Sequence, residues 1–416
     1  MSMFLSQMGI ANTIIEKESF PRYHIGESFT GEAGGLMRSL GLEQKMLQKH
    51  YPVKHGVRVY GPTGNPWFVP VMRRNEQNEL EPVTTWQVRR SDFDKLMYDE
   101  AVARGATIVK GEATVPLKRE DGSVYGVRVK MADGGVNDVH SEVLVDATGQ
   151  HTWGFHAGMT SQKVIGKYDR QVAIFSQVKN TLRDHGTARD EQPDNTLIFY
   201  KELVHWAWFI PLDDEVVSVG IVSPNKYFQA KKESRRNFLL RELGELNPEL
   251  ARRVPDLELL EEARAIPNYS YHVRTFTGKG WLCIGDAHRF IDPVFSFGVW
   301  ITAKEGQLAA QAIKGYLDGA HRDDPNPFAD YQDYCERGLD KVQALIDAFW
   351  NDPIAFAFIA HRRHPADIID LFAGRIYSDK VSAGLNQLYK INERGAFNPA
   401  DDPEWMKREL GDALTP

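Results

Sequence analysis

The sequence predicts a mixed α/β fold with three parts: a nucleotide-binding sheet, a sheet-rich region beside it and a helical C-terminal region. Three observations support this prediction. A helix, a glycine, a short strand and an acid follow one another at the start, and buried strands then mix with helices as far as about residue 325. From Asn326 onward the spacing is helical almost to the end. With 416 residues the chain is long enough for two or three domains.

Composition excludes several classes of protein. Apolar residues make up 42% and charged residues 26%, as in globular proteins. Fifty basic against 57 acidic residues give a net charge of −7, which argues against a nucleic-acid binder. Two cysteines, Cys283 and Cys335, are too few for a disulfide scaffold or a cysteine zinc cage. No apolar run approaches 18 residues, so we expect a cytoplasmic protein with no membrane span and no metal site.

The first element is a helix that ends at Gly9. A strand over 10–17 follows it and carries the acid Glu16 at its end. This order matches the second half of a dinucleotide-binding βαβ unit, in which the acid accepts the ribose hydroxyls about 20 residues after a glycine-rich turn. No G-x-G-x-x-G turn occurs before Glu16 or elsewhere in the chain. We therefore expect the chain to begin late and to bind its nucleotide weakly.

The later elements follow from apolar spacing. Strands are predicted at 57–60, 67–71, 124–131, 143–146, 172–178, 196–200, 207–211, 216–222 and 281–284. Helices are predicted over 92–105, 237–260 and 298–317, and the polar, proline-broken segment 183–195 is predicted to be an exposed loop.

Four separated segments resemble the flavin-dependent halogenases. Residues 16–28 read E-K-E-S-F-P-R-Y-H-I-G-E-S, similar to the acid and the F-P-R-x-x-I-G-E-S stretch of that family. The R-x-x-F-D, D-A-T-G and G-D-A sequences that begin at Arg90, Asp146 and Gly285 are shared by many FAD monooxygenases. The W-x-W-x-I-P sequence from Trp206 and the F-x-x-P-x-x-S-x-G sequence from Phe290 match two halogenase signatures.

The resemblance implies the FAD-binding doubly wound sheet of the glutathione reductase and p-hydroxybenzoate hydroxylase type. It divides the chain into a discontinuous FAD-binding domain over 1–50, 80–165 and 265–325, a substrate-domain sheet over 51–79 and 166–264, and a helical region over 326–416. The cofactor-binding residues that it implies are Glu16, Lys17, Arg22, Ser28, Arg90, Val115, Asp286, Pro293 and Gly298.

The chemistry of their side chains or backbone explains why some of these residues suit the binding of FAD or a halide. A guanidinium such as that of Arg90 suits a pyrophosphate, and a carboxylate such as that of Asp286 can accept hydrogen bonds from ribityl hydroxyls. Because helix N-termini hold anions, the resemblance places chloride or bromide on the backbone amides of Phe297 and Gly298, beside the motif residue Ser296. The alternative, that these amides face only the flavin ring, stays open.

Lys54 is the catalytic residue that the resemblance implies. Residues 54–61, K-H-G-V-R-V-Y-G, are similar to the lysine segment of the family, although Tyr60 stands where that family usually has Trp. In the family, reduced FAD and dioxygen convert halide into hypohalous acid, which a lysine across a tunnel positions or captures. An ammonium can make the halogen more electrophilic by donating a hydrogen bond, and burial lowers the pKa of a lysine.

Three aromatic residues indicate the class of substrate that the resemblance implies. Trp206 and Trp208 lie on one face of a strand, where the family uses them to keep the substrate away from the flavin. Halogenases of free tryptophan carry Glu before the motif serine, whereas this chain has Phe295, which favours the phenol and pyrrole branch. The expected substrate is a small aromatic molecule, free or tethered to a carrier protein.

The leading hypothesis is therefore a flavin-dependent halogenase that receives reduced FAD from a separate flavin reductase. An FAD monooxygenase or oxidoreductase of the same fold, and a degenerate member with weak flavin binding, remain as alternatives.

Overall fold

The computed structural model describes residues 1–394 except 63, 65, 167–169, 203 and 268–269. The helices are α1 Ser2–Gln7, α2 Gly31–Ser39, α3 Glu43–Gln48, α4 Arg90–Ala103, α5 Trp153–His156, α6 Asn225–Lys231, α7 Arg235–Glu245, α8 Pro248–Arg253, α9 Gly298–Leu317, α10 Ala329–Asn351, α11 Pro353–Phe358, α12 Pro365–Ala373 and α13 Ala383–Arg394. A π-helical turn, Ile359–Arg363, joins α11 to α12. No helix in this part of the chain is long and apolar enough to cross a bilayer.

Within the described residues the strands form six sheets. In chain order they are β1 Thr13–Glu16, β2 Val53–Lys54, β3 Gly56–Tyr60, β4 Pro66–Pro70, β5 Met72–Arg74, β6 Leu80–Pro82, β7 Thr85–Trp86, β8 Thr107–Lys118, β9 Val124–Met131, β10 Val136–His140, β11 Leu144–Asp146, β12 Lys163–Ile165, β13 Gln171–Lys179, β14 Thr196–Glu202, β15 His205–Pro211, β16 Val217–Pro224, β17 Glu258–Leu259, β18 Arg264–Pro267, β19 Tyr271–Val273, β20 Thr277–Gly278, β21 Trp281–Cys283 and β22 Arg289–Phe290.

Two parallel strand pairs build the nucleotide-binding part. β1 pairs with β8, with Glu16 opposite Lys110, and β11 pairs with β21, with Asp146 opposite Cys283. Carboxyl ends of parallel strands lie at the same edge of a sheet, which is where α/β proteins of this type bind nucleotides. The D-A-T-G and G-D-A turns therefore begin side by side, and their short helical turns pack against each other.

A larger sheet stands beside this part, in the order β17-β13-β16-β15-β14-β3-β4, with β18 also paired to β13. One register row crosses four of its strands through Phe175, Gly220, Trp208 and Ile198. The apolar side chains of this row join the main core, whereas those of the opposite face, such as Phe209, pack beneath α7 and α8. Burial on both faces explains why every residue of β15 is buried.

The structure departs from the predicted elements in three places. The helix predicted over 237–260 is two helices that end at Arg253, and the strand β17 follows them. The helix divides because Pro248 cannot continue α7, and Asn247 caps α8 by accepting the Glu249 amide at 3.0 Å. The loop 183–195 is not uniformly exposed: it contains a 3-10 turn at Arg189–Glu191, and Asn195 is buried. The long strand β8 was not predicted.

Candidate active site

Lys54 lies in the interior of the protein. Its Nζ donates hydrogen bonds to Ser28 Oγ at 2.8 Å and to the Phe29 carbonyl at 3.0 Å, and the residue is 2% exposed. No carboxylate is among its hydrogen-bond or ion-pair partners in the described part of the chain. Burial alone lowers the pKa of Lys54 to about 7. Near neutral pH this side chain is therefore both an ammonium donor and, in part, a free amine.

A buried hydroxyl chain orients Ser28. Gln87 Nε2 donates to Thr196 Oγ1 at 2.8 Å, and Thr196 Oγ1 lies 2.8 Å from Ser28 Oγ. Because Thr196 accepts from Gln87, its hydroxyl hydrogen is free to be donated to Ser28. The structure thus places the Ser28 side chain in the environment of Lys54, although the residue was predicted to bind the cofactor.

Asn195 fixes the backbone that carries Lys54. Its side-chain Oδ1 accepts the amides of His55 at 3.1 Å and Gly56 at 2.9 Å, and its Nδ2 donates to the Arg189 carbonyl at 2.7 Å. These contacts tie the end of the 183–195 segment to the start of β3. Lys54 is held from both sides, by its own hydrogen bonds and by its neighbours.

Glu27 is a second buried ionisable residue beside this network. It is 1% exposed, and the Ser218 hydroxyl, which lies within reach of its carboxyl, only partly offsets the burial. Removal from water is the main reason that the pKa of Glu27 is raised to about 7. A carboxyl buried with so little hydrogen bonding is unusual in a folded protein, and its raised pKa makes Glu27 a candidate functional residue.

The two motif tryptophans form one aromatic wall. The Trp206 and Trp208 rings lie 5.8 Å apart, and Trp208 contacts Phe175 at the same distance between centroids. Trp208 Nε1 donates to Ser218 Oγ at 3.1 Å, which satisfies its one polar group. Gly220 opposite Trp208 has no side chain, and a Cβ there would overlap the indole. The glycine lets the indole lie flat across the neighbouring strand.

The second motif ends at a helix N-terminus. Ser296 has a left-handed backbone with φ of 61°, and its amide donates to the Pro293 carbonyl at 3.0 Å. The chain then enters α9, and the amides of Phe297 and Gly298 have no acceptor in the part that the structure describes. Free amides at the positive end of a 20-residue helix can hold a halide ion.

Aromatic side chains cover this helix end. The Phe295 ring lies 5.1 Å from Phe349 and 4.7 Å from Phe372, and the Trp67 ring lies 6.2 Å from Phe349. Phe356 of α11 completes the group, which we call the aromatic cluster: Trp67, Phe295, Phe349, Phe356 and Phe372. No acid lies within this cluster, so it suits an apolar ring.

We call the edge formed by the end of β1 and by the turns that follow β11 and β21 the cofactor edge. It begins at the end of β1. Glu16 accepts the Glu18 amide at 2.8 Å and lies 4.0 Å from the guanidinium of Arg22, which also faces Glu18 at 3.4 Å. Lys17, which follows β1, pairs with Glu112 at 2.9 Å. Glu16 and Arg22 are therefore placed together, whereas Lys17 has a surface ion pair.

Arg90 secures the loop between β1 and α2. Its Nε and Nη2 form a fork on Asp94 at 2.7 and 3.1 Å, and its Nη1 donates to the carbonyls of Ile25 and Gly26. Four of the five guanidinium N–H groups are used in this way, which leaves one for a phosphate oxygen.

The carboxylates of the D-A-T-G and G-D-A turns have different roles. Asp146 accepts the amides of Thr148 at 2.9 Å and Gly154 at 2.7 Å, so it shapes its own turn. The side chain of Asp286 has no hydrogen bond within the described residues, and burial raises its pKa to about 7. Asp286 is thus an unused acceptor beside the end of β21.

Glu305 of α9 stabilises the G-D-A turn through hydrogen bonds. The residue is fully buried, and its Oε2 accepts the Gly285 amide at 2.6 Å and lies 2.9 Å from His288 Nε2. Gly285 has φ of 58°, and a Cβ there would overlap Thr302 of the same helix. Glu305 therefore joins the G-D-A turn to helix α9.

These features fit FAD. An acid ends β1, Arg90 keeps a free N–H, and Asp286 is an unpaired acceptor at the edge where such folds bind nucleotides. Glu16, Arg22, Arg90, Asp286, Pro293 and Gly298 would hold the cofactor. Val115 is 53% exposed and lies about 16 Å along β8 from the residue opposite Glu16, so the structure does not bring it to Glu16.

Sequence reasoning missed Glu27, Gln87, Asn195 and Thr196. Glu27 lies inside the I-G-E-S stretch, so its position within a matched motif was a signal that could have identified it as a site residue. The other three carry no local signal, because their roles depend on contacts with residues 100 or more positions away in the chain.

Comparison with known proteins agrees with this geometry. Residues 1–324 match the model of the FAD binding domain family. The chain is 38% identical over 353 residues to the 1H-pyrrole-2-carbonyl-[peptidyl-carrier protein] brominase of Pseudoalteromonas luteoviolacea, covering 84% of this chain and 82% of that one. It is 24% identical to the corresponding chlorinase of Pseudomonas fluorescens, covering 100% and 94%.

A solved structure gives the same result. The flavin-dependent brominase Bmp2 superposes with a TM-score of 0.86 at 34% identity, over 94% of each chain. The fold, the FAD-binding domain and the two halogenase signatures therefore agree, and the chain belongs to the flavin-dependent halogenases.

Proposed function

We propose that this enzyme halogenates a pyrrole-2-carbonyl group tethered to a carrier protein, with Lys54 as the catalytic residue. The observation that carries the role of Lys54 is its burial without a carboxylate partner, which lowers its pKa to about 7. The substrate is inferred from two relatives, whose names state that they brominate or chlorinate a pyrrole on a peptidyl carrier protein.

Bound reduced FAD supplies, with dioxygen, the two-electron oxidation of halide to hypohalous acid. The protein's own residues then control that oxidant. The amides of Phe297 and Gly298 hold the halide, and the ammonium of Lys54 donates its third N–H to the oxygen of hypohalous acid. This hydrogen bond makes the halogen more electrophilic, so an aromatic carbon attacks it and the halogen–oxygen bond breaks. The hydroxide that leaves combines with the proton lost from the ring to give water, and the ring regains its aromaticity.

The aromatic wall and the aromatic cluster separate the two half-reactions. In this proposal Trp206 and Trp208, whose rings lie 5.8 Å apart, keep the substrate away from the flavin, so that only the small oxidant passes between them. Phe295 stands beside the motif serine and offers no base. A pyrrole is activated enough to react without one, which supports the pyrrole class over an indole.

A separate flavin reductase supplies reduced FAD, and the enzyme works in the cytoplasm, where that reductase and the carrier protein are made.

The experiment is a bromide assay with FAD, a flavin reductase, NADH and two substrates: pyrrole-2-carbonyl carrier protein and the corresponding N-acetylcysteamine thioester. High-resolution mass spectrometry should find the bromine isotope doublet on the carrier-bound pyrrole. Bromination of the small thioester alone would overturn the tethered substrate but not the halogenase. Hydroxylated products without bromine would favour a monooxygenase instead.

A further inference from the structure

Helix α11 has a buried inner face and an exposed outer face, and both carry apolar side chains. Phe356 is fully buried in the aromatic cluster, with its ring 6.1 Å from Trp67 and 5.5 Å from Phe349. Ile354 and Phe358, four residues apart on the other face, are 85% and 57% exposed. Ile354 is among the most exposed large apolar side chains that the structure describes. Together they form an exposed apolar pair of the kind that protein contact surfaces carry.

Two cations follow on the π-helical turn. Arg362 and Arg363 are exposed, and neither has an ion pair or hydrogen bond within the described part of the chain. The nearby acids are engaged locally: Asp352 caps α11 through the Ala355 amide at 2.9 Å, and Asp367 accepts the Gly384 amide at 2.7 Å. In a protein with a net charge of −7, this pair is a local positive site. We call Ile354, Phe358, Arg362 and Arg363 the α11 patch.

The α11 patch adjoins the outer end of the aromatic cluster. Trp67 is half-buried, and its ring meets exposed His361 at 5.4 Å, between the two halves of the patch in sequence. From Trp67 the cluster continues through Phe349 to Phe295, which precedes the motif serine. A ring that enters beside Trp67 would be led by aromatic contacts toward the helix that holds the halide.

We propose that the α11 patch is the docking surface for the acidic carrier protein that delivers the substrate. This inference rests on the proposed tethered substrate. A tethered ring must enter the aromatic cluster while its carrier stays outside, so the carrier has to bind at the entrance. Apolar contacts flanked by unpaired arginines suit a partner that presents apolar side chains among carboxylates.

The test uses the full-length enzyme with FAD, a flavin reductase and bromide. Arg362→Glu/Arg363→Glu and Phe358→Ala are compared with the wild type on both the pyrrole-2-carbonyl carrier protein and the N-acetylcysteamine thioester. The matched control is Arg235→Glu/Arg236→Glu, another adjacent pair of exposed arginines, at the start of α7. Fluorescence anisotropy of labelled carrier protein measures binding without turnover.

The charge reversal should raise KM for the carrier substrate and the Kd for the carrier by about tenfold or more, because two favourable charges become repulsive. Turnover of the small thioester should stay unchanged in that variant, and the α7 control should match the wild type on both substrates. Equal loss on both substrates, or no loss on the carrier substrate, would overturn the docking surface. A wild type that brominates the thioester but refuses the carrier would instead overturn the tethered substrate itself.

Discussion

At the scale of single residues, the environment of Lys54 determines whether its ammonium or its free amine takes part in halogenation. As an ammonium it makes two hydrogen bonds, to Ser28 and to the Phe29 carbonyl, and keeps one N–H for a reactant. As an amine it would offer a lone pair and could capture the halogen covalently. Because its pKa is about 7, the two roles predict opposite pH profiles in the accessible range.

We expect halogenation to fall as the pH rises through about 7. The Lys54 pKa is lowered by burial, so deprotonation removes the ammonium donor in this window rather than near pH 10. The measurement is single-turnover bromination of the small thioester between pH 6 and 9, with oxidation of reduced FAD followed separately. A rate that rises with pH would assign Lys54 to covalent capture.

Lys54→Met should reduce bromination by at least about 10³-fold, a loss typical of removing a key catalytic group. The change keeps an unbranched side chain of similar length, so the fold should persist. Oxidation of reduced FAD should continue, with its electrons recovered as hydrogen peroxide. Lys49→Met, which removes a partly exposed lysine paired with Asp92, should brominate normally. Substantial bromination by Lys54→Met would refute the assignment.

At the scale of elements, the large sheet depends on one glycine. Gly220 on β16 faces Trp208 on β15 and Phe175 on β13, and a Cβ would overlap the indole. Gly220→Ala should therefore destabilise the protein by about 1–3 kcal/mol, as overpacked cores do. Displacement of Trp208 should also increase the hydrogen peroxide released per turnover.

Gly244 provides the control. It lies in α7 with open space around it, so Gly244→Ala should raise stability by about 0.5–1 kcal/mol through helix propensity. Urea unfolding measures both variants. A Gly220→Ala protein as stable as the wild type would mean that Trp208 can move without cost.

Helix α9 depends on Glu305 in the same way. Glu305→Ala leaves the Gly285 amide and His288 without their buried partner, so we expect a loss of about 3–5 kcal/mol. Gln311→Ala, at an exposed position of α9, should change stability by less than about 0.5 kcal/mol. Equal stability of the two variants in urea would show that the G-D-A turn does not need this support.

The sequence predicts those elements whose signal is local. Helix α9 and strands β9 and β15 follow from apolar spacing over their own residues, and the structure confirms them. Strand β8 has a mixed pattern with exposed positions, and pairing with β1 and β9 makes it a strand. A lone lysine such as Lys54 resembles a surface residue until Ser28 and Phe29, more than 20 positions earlier, enclose it. Such long-range contacts limit prediction of the site more than of the fold.

At the scale of the whole molecule, the cofactor edge gathers residues from distant parts of the chain. Glu16 ends β1, Arg90 begins α4, and Asp146 and Asp286 follow two neighbouring parallel strands. A ligand that contacts all of these segments binds the folded state only, and at 100 times its Kd it adds about 2.7 kcal/mol to stability. FAD should therefore raise the Tm of the purified protein in a concentration-dependent way.

The two aspartates at that edge should respond in opposite ways. Asp286→Asn removes an unpartnered, partly buried carboxyl, so the Tm without FAD should not fall, whereas the rise caused by FAD should shrink. Asp146→Asn disturbs an acceptor of two backbone amides and should lower the Tm without FAD, by a loss of about 1–3 kcal/mol.

Differential scanning calorimetry with and without FAD separates these effects, and fluorescence quenching gives the FAD Kd independently of stability. If Asp286→Asn kept the full FAD-dependent rise, the cofactor would have to reach the protein without that carboxylate. If Asp146→Asn left the Tm unchanged, its turn would be held by the parallel strands alone. The expected contrast assigns one carboxylate to the ligand and the other to the fold, although both follow strands that lie side by side.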